Sequence, residues 1–166
     1  MSPLTPPSME GDDLDPAYVI FHQPLPIAAR RSDHTWGAVP SPIRLGVDWL
    51  SKKGLTEEGL YRVPGKATTF ATYKALFDRG VDFDFFELHE MAPENVAMVL
   101  IKYLQALPEP IYSSKYEAHF KLALAIQNDQ ERATVLKGIM YMIPLAYRET
   151  IKVLVDHLRL VASNSE

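Results

Sequence analysis

From residue 41 onward, apolar residues recur every three or four positions, which is the spacing of amphipathic α-helices. Six segments show this period, and turn-forming residues separate them. We therefore predict an all-α fold: a single-domain helical bundle with an irregular N-terminal arm. The apolar positions of the six helices are, in order, Ile43, Val47 and Leu50; Phe70, Tyr73, Leu76 and Phe77; Val96, Val99, Leu100, Tyr103 and Leu107; Tyr116, Phe120 and Leu124; Val135, Leu136, Ile139 and Met140; and Ile151, Leu154, Val155, Leu158 and Val161.

Start and stop signals support these boundaries. Ser41 is a typical cap residue, and Pro42 after it suits the first helical position. The "LPEP" segment (107–110) ends the third helix, because proline lacks a backbone donor and restricts the residue before it. Asn128 and Glu131 have the spacing of a capping box for the fifth helix.

The first 39 residues follow a different pattern. Residues 1–17 are rich in proline and acidic residues, which predicts a flexible leader with too little apolar surface to fold. Residues 18–39 predict an irregular arm. Residues 81–91, "VDFDFFELHEM", alternate briefly but have no pairing partner, and we expect an extended connection there. The side chains of the arm expected to dock onto the core are Phe21, Leu25 and Trp36.

Composition indicates a globular protein without disulfides. The chain has 166 residues, of which 47% are hydrophobic, and it contains no cysteine. No apolar run reaches the roughly 20 residues that span a bilayer, so we expect no transmembrane segment. We expect a cytoplasmic protein, with any membrane recruitment through a partner or through other domains of a parent protein.

The charge argues against a nucleic-acid binder, because the formal net charge is −4 and phosphate binding favours a basic surplus. Charge is nevertheless uneven, since residues 44–79 hold seven basic and four acidic residues. Two interpretations stay open: a solvated helix surface, or a cationic face for an acidic partner.

No complete active site is evident. The five histidines lack metal-ligand spacing, so no metal site is predicted. No glycine-rich phosphate loop and no nucleophile elbow occurs. Glu57 and Glu58 are adjacent in sequence and do not form an obvious acid/base pair. We therefore expect no self-contained enzyme and no cofactor.

Arg62 is the residue that could still carry chemistry. It lies in "GLYRVPGK" (59–66), where Pro64 biases Val63 towards an extended conformation and Gly65 permits a tight turn. One interpretation is a structural arginine that pairs with a nearby carboxylate or carbonyl. The other is an outward-pointing guanidinium, a planar cation suited to phosphate oxygens.

Two segments resemble the RhoGAP domain, a helical module that activates GTP hydrolysis by Rho-family GTPases. "GLTEEGLYRVPGK" (54–66) is similar to the family's G-L-x-x-E-G-[IL]-[FY]-R-x-x-G, and "VLIKYLQALPEPIY" (99–112) to its L-x-K-x-[FY]-L-R-x-L-P-x-P-L. "VPSPIRLGVDWLSKKG" and "IPLAYRETIKVLVDHLRLVA" resemble two further helices. The resemblance covers residues 21–166 and assigns residues 18–166 to one RhoGAP-like domain.

The resemblance implies a role for specific residues. Arg62 is the catalytic arginine finger inserted into the partner, a Rho-family small GTPase in its GTP-bound form. Lys102 and Gln105 occupy GTPase-binding positions. GTP and magnesium then belong to the partner. The residues implied to support the finger loop are Glu58, Gly59, Pro64 and Gly65.

The chain also departs from the family pattern. Gln105 stands where the family usually has arginine, and Tyr147 where it often has asparagine or histidine. The resemblance stops before the family's Asn-x-Met segment, so we expect a C-terminally shortened domain. Asn164 comes too early to replace that segment's asparagine.

Two rival functions stay open. A RhoGAP-like module could bind a GTPase without accelerating hydrolysis, which Gln105 and the shortened end favour. An unrelated helical scaffold could instead bind phosphorylated peptides through its basic residues.

Overall fold

A computed structural model describes residues 16–32, 37–80 and 91–164. Within these residues all regular structure is helical, with seven α-helices, one 3₁₀ helix and no strand, which confirms the all-α prediction. The helices are α1 (Leu25–Arg31), α2 (Ser41–Lys53), α3 (Ala67–Phe77), α4 (Pro93–Gln105), the 3₁₀ helix (Ser114–Tyr116), α5 (Glu117–Leu124), α6 (Asp129–Met142) and α7 (Leu145–Ser163). Residues 1–15 of the predicted leader, Trp36, and residues 81–90 of the predicted connection lie outside the described residues.

The N-terminal arm contains a helix, which corrects the prediction that it is irregular. In α1, Leu25, Ala28 and Ala29 lie three and four positions apart and are all buried. Pro24 precedes the helix and Pro26 lies in its first turn, where a missing backbone N–H costs no intrahelical hydrogen bond. Pro24 and Pro26 therefore suit the start of this helix.

Asp78, at the end of α3, fixes the start of the arm. Its Oδ1 accepts hydrogen bonds from the backbone N–H groups of Ile20 and Phe21, both at 2.9 Å. Its Oδ2 lies 2.6 Å from Lys74 Nζ, and the residue is 1% exposed. The Phe21 ring packs edge-on against Tyr103 of α4 with 5.1 Å between centroids, which confirms that Phe21 docks onto the core.

The start of α2 differs from the prediction in one detail. The capping position is Pro40, and Ser41 is already helical. The Ser41 N–H instead donates to Ser32 Oγ at 2.8 Å, while the Ser32 hydroxyl donates to the Ala28 carbonyl at 2.9 Å. Ser32 thus satisfies a first-turn N–H of α2, a group that the helix cannot satisfy within itself. It connects that N–H to the last turn of α1, where the Ala28 carbonyl also accepts the Ser32 backbone N–H at 3.0 Å.

The helices pack around α2 and α4. α4 lies against α2 and α3, α7 lies against α1 and α2, and α5 pairs with α6. The core between them contains, among others, Ile43, Val47, Leu50, Val96, Val99, Leu100, Tyr103 and Leu154.

The later helices expose several apolar positions that the periodicity pointed to. Leu124 of α5 is 64% exposed and Leu158 of α7 is 53% exposed. In α7 the buried face does not coincide with the whole predicted apolar stripe, because polar residues also occupy buried positions. Its buried positions are Ala146, Tyr147, Thr150, Leu154 and His157.

α6 begins as predicted. The Asn128 side chain accepts hydrogen bonds from the N–H groups of Gln130 and Glu131 at 3.0 and 2.9 Å. Among the described helices, none combines the length and the apolar character needed to cross a membrane.

Candidate functional site

The Arg62 loop (residues 54–66) connects α2 to α3 and contains a tight turn. The N–H groups of Arg62 and Val63 both donate to the Gly59 carbonyl, at 2.7 and 3.0 Å. Gly59 has φ of +74°, a conformation that side-chain-bearing residues adopt only with strain. Leu60, inside the turn, is buried and anchors it to the core.

Gly65 is needed for close packing and not for the tight turn predicted there, since the positive φ of this loop is at Gly59. A Cβ on Gly65 would lie 2.8 Å from the Glu94 carbonyl oxygen and 2.9 Å from Asn95 Oδ1, in the first turn of α4. The next N–H, of Lys66, donates to Asn95 Oδ1 at 2.8 Å. Asn95, which the sequence did not single out, therefore holds the C-terminal side of the loop.

A buried cluster holds the other side of the loop. His157 of α7 is 2% exposed, and its Nε2 lies 2.5 Å from the Tyr61 hydroxyl. Its Nδ1 lies 2.9 Å from Ser51 Oγ of α2. Burial lowers the pKa of His157 and raises the pKa of Tyr61 above its ordinary value. The Ser51–His157 pair is not a hydrolase dyad, because the histidine is enclosed and its second nitrogen faces a tyrosine instead of a carboxylate.

Arg62 itself is exposed. Within the described residues its side chain has no hydrogen bond or ion pair, although Glu57 and Glu58 are close in sequence and also exposed. Its Nη2 would lie 3.5 Å from a Cβ built on Gly59, so the guanidinium rests over the turn. Glu58 and Pro64 are exposed, and their supporting roles stay predictions.

Lys102 and Gln105 lie in the last turn of α4 and are both exposed. They are three residues apart, so they share one side of the helix. Lys102 also lies seven residues after Asn95, which is two turns, or about 10 Å along the axis, on nearly the same face. The face that contacts the Arg62 loop at Asn95 thus continues towards Lys102.

A groove of about 580 Å³ lies beside the Arg62 loop. The loop forms one wall, including Arg62 and Gly59, and Val161 and Asn164 at the end of α7 contribute to the other. The Asn164 side-chain amide donates to the Leu160 carbonyl at 2.8 Å, so its donor is engaged within α7.

The "LPEP" segment is fixed by its glutamate. Glu109 accepts hydrogen bonds from the Tyr147 hydroxyl and from Ser113 Oγ, the latter at 3.1 Å. The bond from Tyr147 is the main reason why the pKa of Glu109 lies below its ordinary value. Tyr147, one of the departures from the family pattern, therefore ties the segment after α4 to α7.

No group of three or more histidine, aspartate or glutamate side chains that could hold a metal ion occurs within the described residues. The candidate functional site is the Arg62 loop together with the exposed C-terminal end of α4.

Comparison with protein families shows that the model for the RhoGAP domain matches residues 40–166, well over half of the chain.

Curated proteins show the same similarity. The chain is 30% identical over 124 residues to the human breakpoint cluster region protein. It is 29% identical over 147 residues to the Rho GTPase-activating protein gacY of Dictyostelium discoideum. It is 34% identical over 154 residues to the Rho GTPase-activating protein 100F of Drosophila melanogaster. These alignments cover 75%, 88% and 84% of this chain. They span 10%, 20% and 8% of the three relatives, so the chain corresponds to a small part of each.

Solved structures show the same fold. Human Rho GTPase-activating protein 15 superposes with a TM-score of 0.81 at 23% identity, covering 90% of this chain and 69% of that one. The BH domain of GRAF, the GTPase regulator associated with focal adhesion kinase, superposes with a TM-score of 0.67, also at 23% identity, covering 75% of this chain and 66% of that one.

Proposed function

We infer a function from the family, because this chain belongs to the RhoGAP domain family. The proposed function is to stimulate GTP hydrolysis by a Rho-family small GTPase. In this proposal Arg62 acts as an arginine finger in trans. One observation carries this proposal. Arg62 is exposed and unpaired among the described residues, on a loop attached to the core on both sides. A structural arginine would be expected to pair with a carboxylate, and among the described residues Arg62 pairs with neither Glu57 nor Glu58, which are close in sequence.

The proposed mechanism depends on charge that develops during phosphoryl transfer. The partner holds GTP and magnesium, and negative charge spreads over the phosphoryl oxygens in the transition state. Arg62 would neutralise that charge and displace water, because a guanidinium presents several donors in one plane. A finger supplied in trans is worth roughly 10³- to 10⁵-fold in rate, or about 4–7 kcal/mol of activation free energy.

Lys102 and Gln105 would contact the surface of the GTPase. Both are exposed on one side of α4, and that side also meets the Arg62 loop through Asn95. A lysine there favours an acidic partner and speeds encounter. A glutamine supplies hydrogen bonds but no charge.

A second function is supported by Gln105. Because the family usually has arginine at this position, the domain would bind a GTPase less firmly or orient it less well. The alternative is a non-catalytic module that binds a Rho-family GTPase without activating it.

Single-turnover GTP hydrolysis separates the two functions. Several Rho-family GTPases are loaded with GTP and mixed with increasing concentrations of the domain. We expect at least one GTPase to hydrolyse GTP faster by about 10³-fold or more, which is the range of a finger supplied in trans. Binding that depends on bound GTP, with an unchanged hydrolysis rate for every GTPase, would instead support the binding module.

A further inference from the structure

A buried histidine lies directly beneath the residue before Arg62. His157 has both ring nitrogens in contact with hydroxyl groups, one from Tyr61 in the Arg62 loop and one from Ser51 in α2. The Tyr61 and His157 rings also meet edge-on, with 6.0 Å between centroids and 81° between planes. Three separate segments of the chain therefore meet at one imidazole.

A neutral His157 ring can satisfy the hydrogen-bonding groups of this cluster. A neutral imidazole has one donor and one acceptor nitrogen, and each hydroxyl can act as either. Both tautomers therefore give two good hydrogen bonds. Because burial lowers the pKa of His157, the ring is neutral at neutral pH and holds Tyr61 without introducing a buried charge.

The position of the cluster relates it to Arg62. Tyr61 and Arg62 are consecutive, so their Cα atoms are about 3.8 Å apart, and fixing the ring of Tyr61 limits how the backbone of Arg62 can turn. On the other side, the Lys66 N–H is fixed to Asn95. Arg62 lies between these two attachments and makes no side-chain hydrogen bond of its own among the described residues.

We propose that His157 is a positioning residue: it holds the Tyr61 hydroxyl and thereby sets the direction in which Arg62 leaves the loop. This inference rests on the proposed function, in which Arg62 must reach a reacting phosphate. A group that acts on a transition state loses much of its effect when it is displaced by about 1 Å, on the order of 10²-fold in rate. A loop held from both sides limits such displacement before the partner binds.

Tyr61→Phe gives the first test, because it keeps the ring and its edge-on contact and removes only the hydroxyl. Tyr141→Phe is the matched control, since Tyr141 is 69% exposed on α6. We expect Tyr61→Phe to lower the maximal single-turnover rate at saturating domain by about 10- to 100-fold. The domain concentration that gives half of this rate should change little. Loss of folded protein alone would move the half-saturating concentration and leave the maximal rate unchanged.

Variants of His157 give the second test. A glutamine amide can replace the Nε2 contact with Tyr61, so His157→Gln should retain most of the rate. His157→Leu cannot, and should resemble Tyr61→Phe. Combining His157→Leu with Tyr61→Phe should lower the rate no further than either change alone, because both remove the same interaction. Additive losses would overturn the proposal.

Amide hydrogen exchange in the isolated domain separates this inference from the proposed function. The N–H groups of Arg62 and Val63 are bonded to the Gly59 carbonyl, and Tyr61→Phe should speed their exchange while Tyr141→Phe does not. If wild type fails to accelerate any GTPase, the proposed function is wrong and the exchange rates alone decide the positioning role. Unchanged exchange, or a maximal rate for Tyr61→Phe equal to that of wild type in an active domain, overturns the positioning role.

Discussion

Gly65→Ala tests how closely the Arg62 loop packs on α4. The new Cβ would lie 2.8 Å from the Glu94 carbonyl oxygen, 2.9 Å from Asn95 Oδ1 and 3.0 Å from Asn95 Cα. Two of these atoms belong to the backbone, so no side-chain rotation relieves the overlap. The loop must move away from α4, and the Lys66 N–H then loses its bond to Asn95.

The expected cost follows from these contacts. Overpacking of this kind typically costs about 1–3 kcal/mol, and a lost hydrogen bond contributes about 1 kcal/mol. The two overlap, because moving the loop relieves the clash while breaking the bond. We therefore expect Gly65→Ala to lower the free energy of unfolding by roughly 2–3 kcal/mol.

Urea denaturation followed by tryptophan fluorescence measures this change, and Gly138→Ala is the matched control. Gly138 lies within α6, where a Cβ would meet nothing within 4 Å. Since alanine favours a helix over glycine by up to about 1 kcal/mol, this control should stabilise the domain. If Gly65→Ala is as stable as wild type, the claim that Gly65 packs closely against α4 is wrong.

Three further perturbations test other parts of the structure. Asp78→Ala should lower the free energy of unfolding by about 3–5 kcal/mol in thermal or urea denaturation, because two buried N–H groups lose their acceptor and a lysine loses its partner; a loss below about 1 kcal/mol would contradict that role of Asp78. Burial lowers the pKa of His157 in the folded domain, so as pH falls the unfolded chain takes up this proton at a higher pH than the folded domain does. The free energy of unfolding should therefore fall as pH drops from about 6.5 towards 5. In His157→Gln the melting temperature should depend less on pH over this range. Lys102→Ala should weaken GTPase binding more at low salt than at high salt, because salt screens an exposed charge. Gln105→Arg should strengthen GTPase binding. The control Lys137→Ala, on α6, should neither weaken nor strengthen it.

The helices could be predicted from the sequence because their signals are local. The three- and four-residue period, the cap at Asn128 and the break at "LPEP" each act within a few residues. Which apolar residues are buried was less predictable. Leu158 continues the apolar period of α7, yet it is exposed while His157 beside it is buried. That choice depends on which helices pack against α7.

The supports of the Arg62 loop could not be predicted, because each connects distant parts of the chain. Tyr61 and His157 are 96 residues apart, and Lys66 and Asn95 are 29 apart. Nothing near Tyr61 in the sequence indicates a histidine partner. Arg62 itself was found through a local motif, whereas the contacts that hold its loop depend on how α2, α4 and α7 pack.

The most direct test of the account is single-turnover GTP hydrolysis by a responsive Rho-family GTPase with wild-type domain, Arg62→Ala and Arg62→Lys. Arg159→Ala, at an exposed position of α7, is the matched control. We expect Arg62→Ala to lose most of the acceleration, on the order of 10³-fold, with little change in melting temperature or in affinity for the GTP-bound partner, because a finger acts mainly in the transition state. Arg62→Lys should restore little, since an ammonium lacks the planar fork. Equal maximal rates for wild type and Arg62→Ala would contradict the claim that Arg62 supplies the catalytic charge.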